Sequence, residues 1–181
     1  MTNIEFKAHL RDFEKIHSVL AQHKISRAAM LHQTDTYFHV QAGRLKLREI
    51  DGETAQLIFY QRPDLAEVKR SDYLIAPVTA AAALRDVLSV AFGIRTVVKK
   101  IRELYLLPRK FGEYAGRTGP DLIRLHLDTV ETFGHFLEIE VILQLGERPQ
   151  LAEDEARAWL RELGILPEDL LASSYADLLE V

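Results

Sequence analysis

The chain has 181 residues, of which 48% are hydrophobic and 28% charged, as is ordinary for a soluble globular protein of one domain. Its formal net charge of −4 provides no general basic field, which argues against a nucleic-acid-binding protein. It contains no cysteine, which excludes disulfides, thiolate catalysis and cysteine-ligated zinc.

Hydrophobic periodicity in the first third of the chain predicts a strand, a helix and then a three-stranded meander. Residues 2–9 read as the first strand. Phe13, Ile16 and Leu20 mark one face of the helix, with Asp12 as its N-cap. The meander strands and their turns are predicted at 28–40, 44–50 and 54–62, with turns at Ala42-Gly43 and Asp51-Gly52.

A helix and a second group of strands are predicted after Pro63, which ends the meander. Residues 79–92 are rich in alanine and helical, with Gly93 placed to end the helix. The strands that follow are predicted at 94–107, 121–130 and 135–145. The glycine-rich, basic segment between Pro108 and Pro120 is predicted to be a mobile loop.

The C-terminal third of the chain is predicted to be helical. Ala156, Trp159, Leu160 and Leu163 share a helix face, and a last short helix covers Tyr175 to Leu179. No linker or low-complexity segment divides the sequence. We therefore predict a single α+β domain with antiparallel strands over residues 1–181.

Most of the predicted strands carry ionisable side chains on one face and apolar side chains on the other. Side chains two residues apart on a strand point to the same side. The groups that share a face are Glu5 and Lys7; Arg44, Lys46 and Arg48; Tyr60 and Arg62; Lys100 and Arg102; Arg124, His126 and Asp128; and Glu138 and Glu140. The strand near residues 28–40 shows no such face.

Two arrangements give this alternation. An open antiparallel sheet would turn its charged face to water, whereas a closed barrel would turn it inward and form a polar lumen. The basic and the acidic residues occur in separate runs, which is unusual for a solvated face and favours the barrel. Buried like charges then require counter-ions.

The two kinds of charge suggest what would neutralise such a lumen. Arginine and lysine clusters suit phosphate oxygens, and carboxylates without cysteine suit hard cations such as Mg²⁺ or Mn²⁺. Together they indicate a complex of metal and polyphosphate. No P-loop or dinucleotide-binding glycine pattern is present, so side chains rather than a helix N-terminus would bind the phosphates.

Six short motifs follow one another along nearly the whole chain. They are Ile4-Glu5-Phe6-Lys7-Ala8, Gly43-Arg44-Leu45-Lys46-Leu47-Arg48-Glu49, Phe59-Tyr60-Gln61-Arg62-Pro63-Asp64, Val98-Lys99-Lys100-Ile101-Arg102, the pair Leu125-His126-Leu127-Asp128 and Phe136-Leu137-Glu138-Ile139-Glu140, and Ser174-Tyr175-Ala176-Asp177-Leu178-Leu179. The set resembles the CYTH, or triphosphate tunnel metalloenzyme, superfamily. Its ending is similar to that of the class IV adenylate cyclase branch.

The resemblance implies an eight-stranded, closed antiparallel β-barrel with a charged lumen, helices outside, and a triphosphate bound inside with Mg²⁺ or Mn²⁺. It implies four metal ligands: Glu5, Asp128, Glu138 and Glu140. It implies eight phosphate-binding residues: Lys7, Arg44, Lys46, Arg48, Arg62, Lys100, Arg102 and Arg124. Of these, Lys7 and Arg62 are the predicted catalytic residues.

One residue departs from the family pattern. Asn3 stands where the first glutamate of the E-x-E-x-K motif is expected, and a neutral amide oxygen replaces a charged ligand. His126 could carry a proton or orient Asp128, but a buried histidine is more often only a satisfied polar side chain.

The function predicted from the sequence is a metal-dependent enzyme that acts on a nucleoside or organic triphosphate, with adenylate cyclase as the best single choice. Hydrolysis of thiamine triphosphate or inorganic triphosphate is the first alternative, and a non-catalytic binder of polyphosphate or nucleotide is the second. The expected partner is thus a small molecule, not nucleic acid. Without a signal-peptide pattern or an apolar run of the ~20 residues that span a bilayer, we expect a cytoplasmic protein that does not bind membranes.

Overall fold

Eight antiparallel strands form one closed barrel in the computed structural model, which describes residues 1–63, 65–172 and 174–178. The strands are β1 (Thr2–His9), β2 (Arg27–Phe38), β3 (Arg44–Ile50), β4 (Thr54–Gln61), β5 (Lys69–Val78), β6 (Ile94–Leu106), β7 (Ile123–Val130) and β8 (Gly134–Ile142). Their order around the barrel is β1-β5-β4-β3-β2-β6-β7-β8, and β8 pairs with β1 to close it. The predicted fold class is confirmed.

Helices lie between and after the strands. They are α1 (Phe13–Gln22), α2 (Ala81–Phe92), α3 (Pro149–Glu162) and α4 (Tyr175–Leu178). The predicted N-cap of α1 is confirmed, since the Asp12 carboxylate accepts a hydrogen bond from the Lys15 N–H at 3.0 Å. No helix in the described part of the chain is both long and apolar enough to cross a bilayer.

Seven of these eight strands lie where the sequence predicts a strand, and β5 is the one that the sequence did not predict. Its inward residues Lys69 and Ser71 are polar, and its outward residues Arg70 and Asp72 are charged, so the strand has no apolar face that periodicity could reveal. The family resemblance implies eight strands, and the sequence patterns predicted seven of them. Lys69–Val78 is the eighth.

The hairpin between β3 and β4 forms where the sequence predicts it. Asp51 and Gly52 both adopt positive φ, 52° and 72°, as the central residues of a type I′ turn require, and the Glu53 N–H donates to the Ile50 carbonyl at 3.0 Å. At the other end of β3, Gly43 has φ of 68°, and a Cβ there would lie 2.8 Å from the Tyr60 carbonyl oxygen. Any side chain at residue 43 would therefore push β3 and β4 apart.

The apolar faces of the strands point outward and are covered by the helices. Phe6, Leu125 and Ile139 pack beneath α1 and α3, where Ile16 and Trp159 complete the cluster. A second cluster joins α2 to the outer faces of β2 to β4 through Leu88, Phe38 and Leu47. Because the apolar faces are used outside, the charged faces point into the lumen, and the closed-barrel arrangement is the correct one of the two.

The chain end returns to one mouth of the barrel. The Leu171 N–H donates to the Lys7 carbonyl at 2.8 Å, and α4 then brings Tyr175 into contact with Phe136 and Val98 at this mouth. We call this end of the lumen the α4 end. The predicted last helix extended to Leu179, which lies outside the described residues, as does Asp64 of the third motif.

The segment between Pro108 and Pro120 is a loop that packs on α3 outside the barrel. The buried Arg109 side chain pairs with Glu147 and Glu155, and the Glu155 carboxylate also accepts the N–H of Lys110 at 2.6 Å and of Phe111 at 3.1 Å. No described residue of this loop lines the lumen. It is therefore positioned to hold α3 in place rather than to cover a ligand.

Candidate active site

The barrel encloses a cavity of about 250 Å³ that is lined by residues from all eight strands. Ten of the predicted site residues line it: Glu5, Lys7, Lys46, Arg48, Arg62, Lys100, Arg102, Arg124, Glu138 and Glu140. Arg44 and Asp128 are placed elsewhere, as described below. Ser71 and Tyr73 of β5 also line the cavity, and the sequence did not predict them.

Carboxylates gather on β1 and β8, next to a histidine of β7. In the strand register Glu5 lies opposite Glu140, and His126 lies opposite Glu138. One ligand atom from each of His126, Glu138 and Glu140 lies within 4.8 Å of the others. We call Glu5, His126, Glu138 and Glu140 the acidic wall.

Each carboxylate on this wall has a protein cation within 3.3 Å, and Arg124 lies 2.7 Å from Glu140. Glu138 lies 3.3 Å from the Lys7 Nζ and 3.0 Å from Arg102, and Arg62 lies 2.6 Å from Glu5. Burial raises the pKa of Glu5, and the repulsion from Glu138 and Glu140 adds to the rise although Arg62 opposes it. Oxygen ligands that repel one another fit a hard dication, which would relieve that repulsion.

Asp128 is the one predicted metal ligand that the structure does not bring to the acidic wall. It is fully buried, and its two oxygens accept hydrogen bonds from the Arg102 Nε and Nη2, each at 2.6 Å. The Tyr175 hydroxyl donates a further bond at 2.8 Å. In this arrangement Asp128 anchors Arg102, and its role as a metal ligand stays a prediction.

The opposite side of the lumen carries cations that share a buried carboxylate. Asp35 has no exposed surface and receives the Lys46 Nζ at 3.0 Å, the Arg48 Nε and Nη2 at 2.7 and 2.8 Å, and the Lys100 Nζ at 3.3 Å. We call Lys46, Arg48 and Lys100 the basic wall. Burial alone would raise the pKa of Asp35, but these three cations hold it well below its ordinary value.

Sequence reasoning missed Asp35. The signal was present, because Gln33, Asp35 and Tyr37 alternate along β2 and all three are buried. These three residues contain a single charged side chain, whereas each charged face that the sequence predicted contains at least two ionisable side chains. Asp35 is the carboxylate about which Lys46 and Arg48 of β3 and Lys100 of β6 are arranged.

Lys46 is held in an environment that disfavours its charge. Burial and the adjacent Arg48 lower its pKa to about 7, although Asp35 opposes the shift. Burial and Arg102 likewise lower the pKa of Lys100 to about 8. A polyanion between the walls would favour the charged form of both lysines.

We therefore expect triphosphate binding at pH 8 to take up about one proton per ligand, and the affinity to fall as the pH rises above about 7. Calorimetry in two buffers with different heats of ionisation measures this uptake. Lys46→Met should remove the larger share of it, and Lys99→Met, on the exposed face of β6, should remove none. Equal uptake in Lys46→Met and the wild type would contradict the prediction.

Arg44 lies at the α4 end, outside the main cavity. Its Nη2 donates to the Asp177 carboxylate at 2.8 Å, and Arg95 reaches the same carboxylate at 2.8 Å. Arg62 lines both this outer mouth and the main cavity. Lys7 lies inside the same end, with its Nζ 3.4 Å from the centre of the Tyr175 ring.

Comparison with known proteins agrees with this architecture. A family model described as "CYTH domain" matches residues 1–175. The PH1012 protein from Pyrococcus horikoshii OT3 is 24% identical and has a TM-score of 0.79, over 97% of this chain and 98% of that chain. No curated protein sequence matches significantly.

Two further solved structures share the fold at lower identity. A "putative adenylate cyclase" from Vibrio parahaemolyticus is 18% identical with a TM-score of 0.74, over 100% of this chain and 99% of that chain. The Hippeastrum protein HpAC1, described as a "putative adenylyl cyclase" with a dominant triphosphatase activity, is 18% identical with a TM-score of 0.61, over 98% and 95% of the two chains.

Proposed function

The chain belongs to the CYTH domain family, and from that premise we propose that it is a divalent-metal-dependent enzyme that acts on a nucleoside or organic triphosphate inside the barrel. The observation that carries the proposal is the division of one cavity into an acidic and a basic wall. A dication bound to a triphosphate presents a positive charge to the first wall and negative charges to the second.

The acidic wall has the donors that Mg²⁺ or Mn²⁺ prefers. Glu5, Glu138 and Glu140 would hold the ion, with the His126 imidazole beside them. Bound there, such an ion would neutralise phosphate charge and polarise the phosphoryl oxygens.

The cations of the lumen would hold the phosphates. Arg48 is fixed by its two bonds to Asp35, and Arg102 by its two bonds to Asp128, so their positions are set before ligand enters. Arg124, which lies 2.7 Å from Glu140, would also bind phosphate. Lys7 and Arg62 pair with Glu138 and Glu5 of the acidic wall, and there they would stabilise charge that develops on a leaving group.

Within this class we propose adenylate cyclase chemistry. The ribose 3′-hydroxyl of ATP attacks the α-phosphorus, the bond to the bridging oxygen breaks, and cyclic AMP and pyrophosphate form. The alternative is hydrolysis, in which water replaces the hydroxyl, with thiamine triphosphate or inorganic triphosphate as further substrates. The descriptions of the Vibrio and Hippeastrum proteins name both activities.

Product analysis separates the two reactions. Incubation with ATP and Mg²⁺ or Mn²⁺ should give cyclic AMP and pyrophosphate in equal amounts if the chain is a cyclase. Release of inorganic phosphate without cyclic AMP would show a triphosphatase instead. Lys99→Met, which lies outside the barrel, serves as a control for the effect of a charge change alone.

A non-catalytic triphosphate-binding module is the second candidate, and Asn3 is the observation that favours it. Asn3 lines the cavity next to the acidic wall, is only 3% exposed, and its Oδ1 has no hydrogen-bond partner. The chain thus lacks a carboxylate at position 3, where the family motif has its first glutamate.

If the chain is an enzyme, we expect Asn3→Glu to lower the metal concentration for half-maximal turnover and to raise the rate, because a fourth carboxylate strengthens the attraction for a dication. Asn3→Gln, which keeps the charge at zero, should leave the metal dependence near that of the wild type. Metal titrations of turnover measure both. Nucleotide binding without turnover in wild type and Asn3→Glu alike would favour the binding module.

A further inference from the structure

One aromatic side chain reaches the lumen from outside the barrel wall. Tyr175 belongs to α4, is 3% exposed, and lines the cavity although no strand carries it. Its ring packs against that of Phe136, with the ring centroids 5.0 Å apart. Tyr175 belongs to the last of the six sequence motifs, and sequence reasoning assigned it no role. It is a buried lumen group that lies outside the sets proposed to bind metal and phosphate.

The Tyr175 ring faces the ammonium groups of two lysines. The Lys7 Nζ lies 3.4 Å from the ring centre and the Lys100 Nζ lies 5.0 Å from it, both within the roughly 6 Å over which a cation–π attraction acts. The Lys7 Nζ also lies 3.3 Å from Glu138. A ring face attracts an ammonium without taking up its three N–H donors as carboxylates would. The ring therefore fixes the position of Lys7 and leaves donors for a phosphate oxygen.

The hydroxyl of Tyr175 acts at a different place. It donates to the Asp128 Oδ2 at 2.8 Å, and the same oxygen accepts a hydrogen bond from the Arg102 Nη2 at 2.6 Å. Asp128 has no exposed surface, so protein donors set the orientation of its carboxylate. Hydrogen bonds to an ionised group are stronger than those between neutral groups. The orientation of Arg102 thus depends in part on a hydroxyl that α4 supplies.

The helix that carries Tyr175 is fastened to the barrel by one carboxylate. Asp177 accepts hydrogen bonds from Arg44 of β3 and Arg95 of β6, each at 2.8 Å, and from the N–H and Oγ of Ser174 at 2.8 and 2.7 Å. A helix of four residues is not stable by itself, so these charge-assisted bonds hold α4 against the barrel. Tyr175 is therefore in position before a ligand enters.

We propose that Tyr175 is a positioning residue of the active site, whose ring holds Lys7 and whose hydroxyl holds Arg102 through Asp128 where these two cations meet the phosphates. The inference rests on the proposed function in one respect, that the phosphates of the ligand lie within reach of Lys7 and Arg102. Immobilising a long, flexible side chain when a ligand binds costs affinity. Contacts made by Tyr175 in advance remove part of that cost.

Calorimetry with inorganic tripolyphosphate and Mg²⁺ tests the ring and the hydroxyl separately and needs no turnover. Tyr175→Phe keeps the ring and removes the hydroxyl, and we expect it to weaken binding about threefold. Tyr175→Leu removes both, and we expect a loss of about 15-fold. In a Lys7→Met background, Tyr175→Phe and Tyr175→Leu should bind within about twofold of each other, because the ring then has no Lys7 ammonium to hold.

Leu178→Ala is the matched control for a loss of packing. Leu178 also belongs to α4 and packs against the same apolar cluster as Tyr175, but it does not line the cavity. The variant should therefore lower the midpoint of thermal unfolding and leave the affinity for tripolyphosphate within about twofold of the wild type. A residue that only supports the fold would behave in this way, so the comparison separates positioning from stability.

Wild-type affinity in either Tyr175 variant, equal losses in Leu178→Ala and Tyr175→Leu, or a ring effect that persists in Lys7→Met would overturn the inference. Turnover of triphosphates together with any of these results would leave the proposed function intact. The expected losses in a protein that turns over no triphosphate would support the role of Tyr175 in binding and contradict the enzyme. A wild type that binds no tripolyphosphate would contradict both.

Discussion

Replacing Glu138 or Glu140 by glutamine is expected to lower metal-dependent turnover by about 100-fold or more. Each change keeps the shape of the side chain and removes one negative charge from the acidic wall. Glu138 is the more severe case, because it lies opposite His126 and contacts both Lys7 and Arg102. Its loss also leaves those two buried cations without part of their compensation.

The barrel should remain folded in both variants. Circular dichroism and thermal melts check the fold, and turnover over a range of Mg²⁺ and Mn²⁺ concentrations gives the activity. Glu131→Gln, an exposed carboxylate in the turn between β7 and β8, is the matched control and should keep the wild-type rate. Wild-type rates in both Glu138→Gln and Glu140→Gln would remove the acidic wall from the reaction.

Asp35→Asn is expected to be the most destabilising charge-removing substitution in the basic half of the lumen. It leaves Lys46, Arg48 and Lys100 buried without their common counter-ion. Removing one partner of a buried ion pair costs about 3–5 kcal/mol, so the midpoint of thermal unfolding should fall by roughly 6–20 °C.

The pH dependence and the response to ligand identify the cause. The pKa of Lys46 is already about 7 and that of Lys100 about 8, so both lysines can lose their protons as the pH rises, and the deficit of Asp35→Asn should shrink between pH 6 and pH 9. Tripolyphosphate should stabilise the variant more than the wild type, because it returns negative charge to the basic wall.

Asp86→Asn, on the exposed side of α2, is the control for the loss of one carboxylate and should melt like the wild type. Differential scanning fluorimetry with and without tripolyphosphate measures all three proteins. An Asp35→Asn midpoint within a degree of the wild type at pH 6 would show that Asp35 does not compensate the basic wall.

Much of the barrel could be predicted from the sequence because its strands alternate cleanly. Residues such as Lys46 and Leu47, or Glu138 and Ile139, differ so strongly in polarity that the two faces of each strand are evident. Strand β5 could not be recognised in this way, because Lys69 and Ser71 are polar inside the barrel while Arg70 and Asp72 are charged outside it.

Hydrophobic periodicity could not predict which side chains of different strands contact one another. Among the inward residues of β2, Asp35 carries the only charge. Its role as the common counter-ion of three cations is evident only once β3 and β6 are known to pair with β2 on either side. Asp128 lies on the predicted face, but Arg102 on the adjacent strand and Tyr175 from α4 take its oxygens. Such contacts depend on strand order and on where the chain end returns.

Metal-dependent turnover of triphosphates is the most direct test of the proposed function. The purified protein is assayed with ATP, thiamine triphosphate and inorganic triphosphate over a range of Mg²⁺ and Mn²⁺ concentrations, with chelator as the blank. The charges of the two walls predict saturable turnover of at least one of these substrates that requires the dication and is lost in Glu138→Gln. Tight binding of nucleotide with no turnover under either metal would contradict the enzyme and leave a binding module.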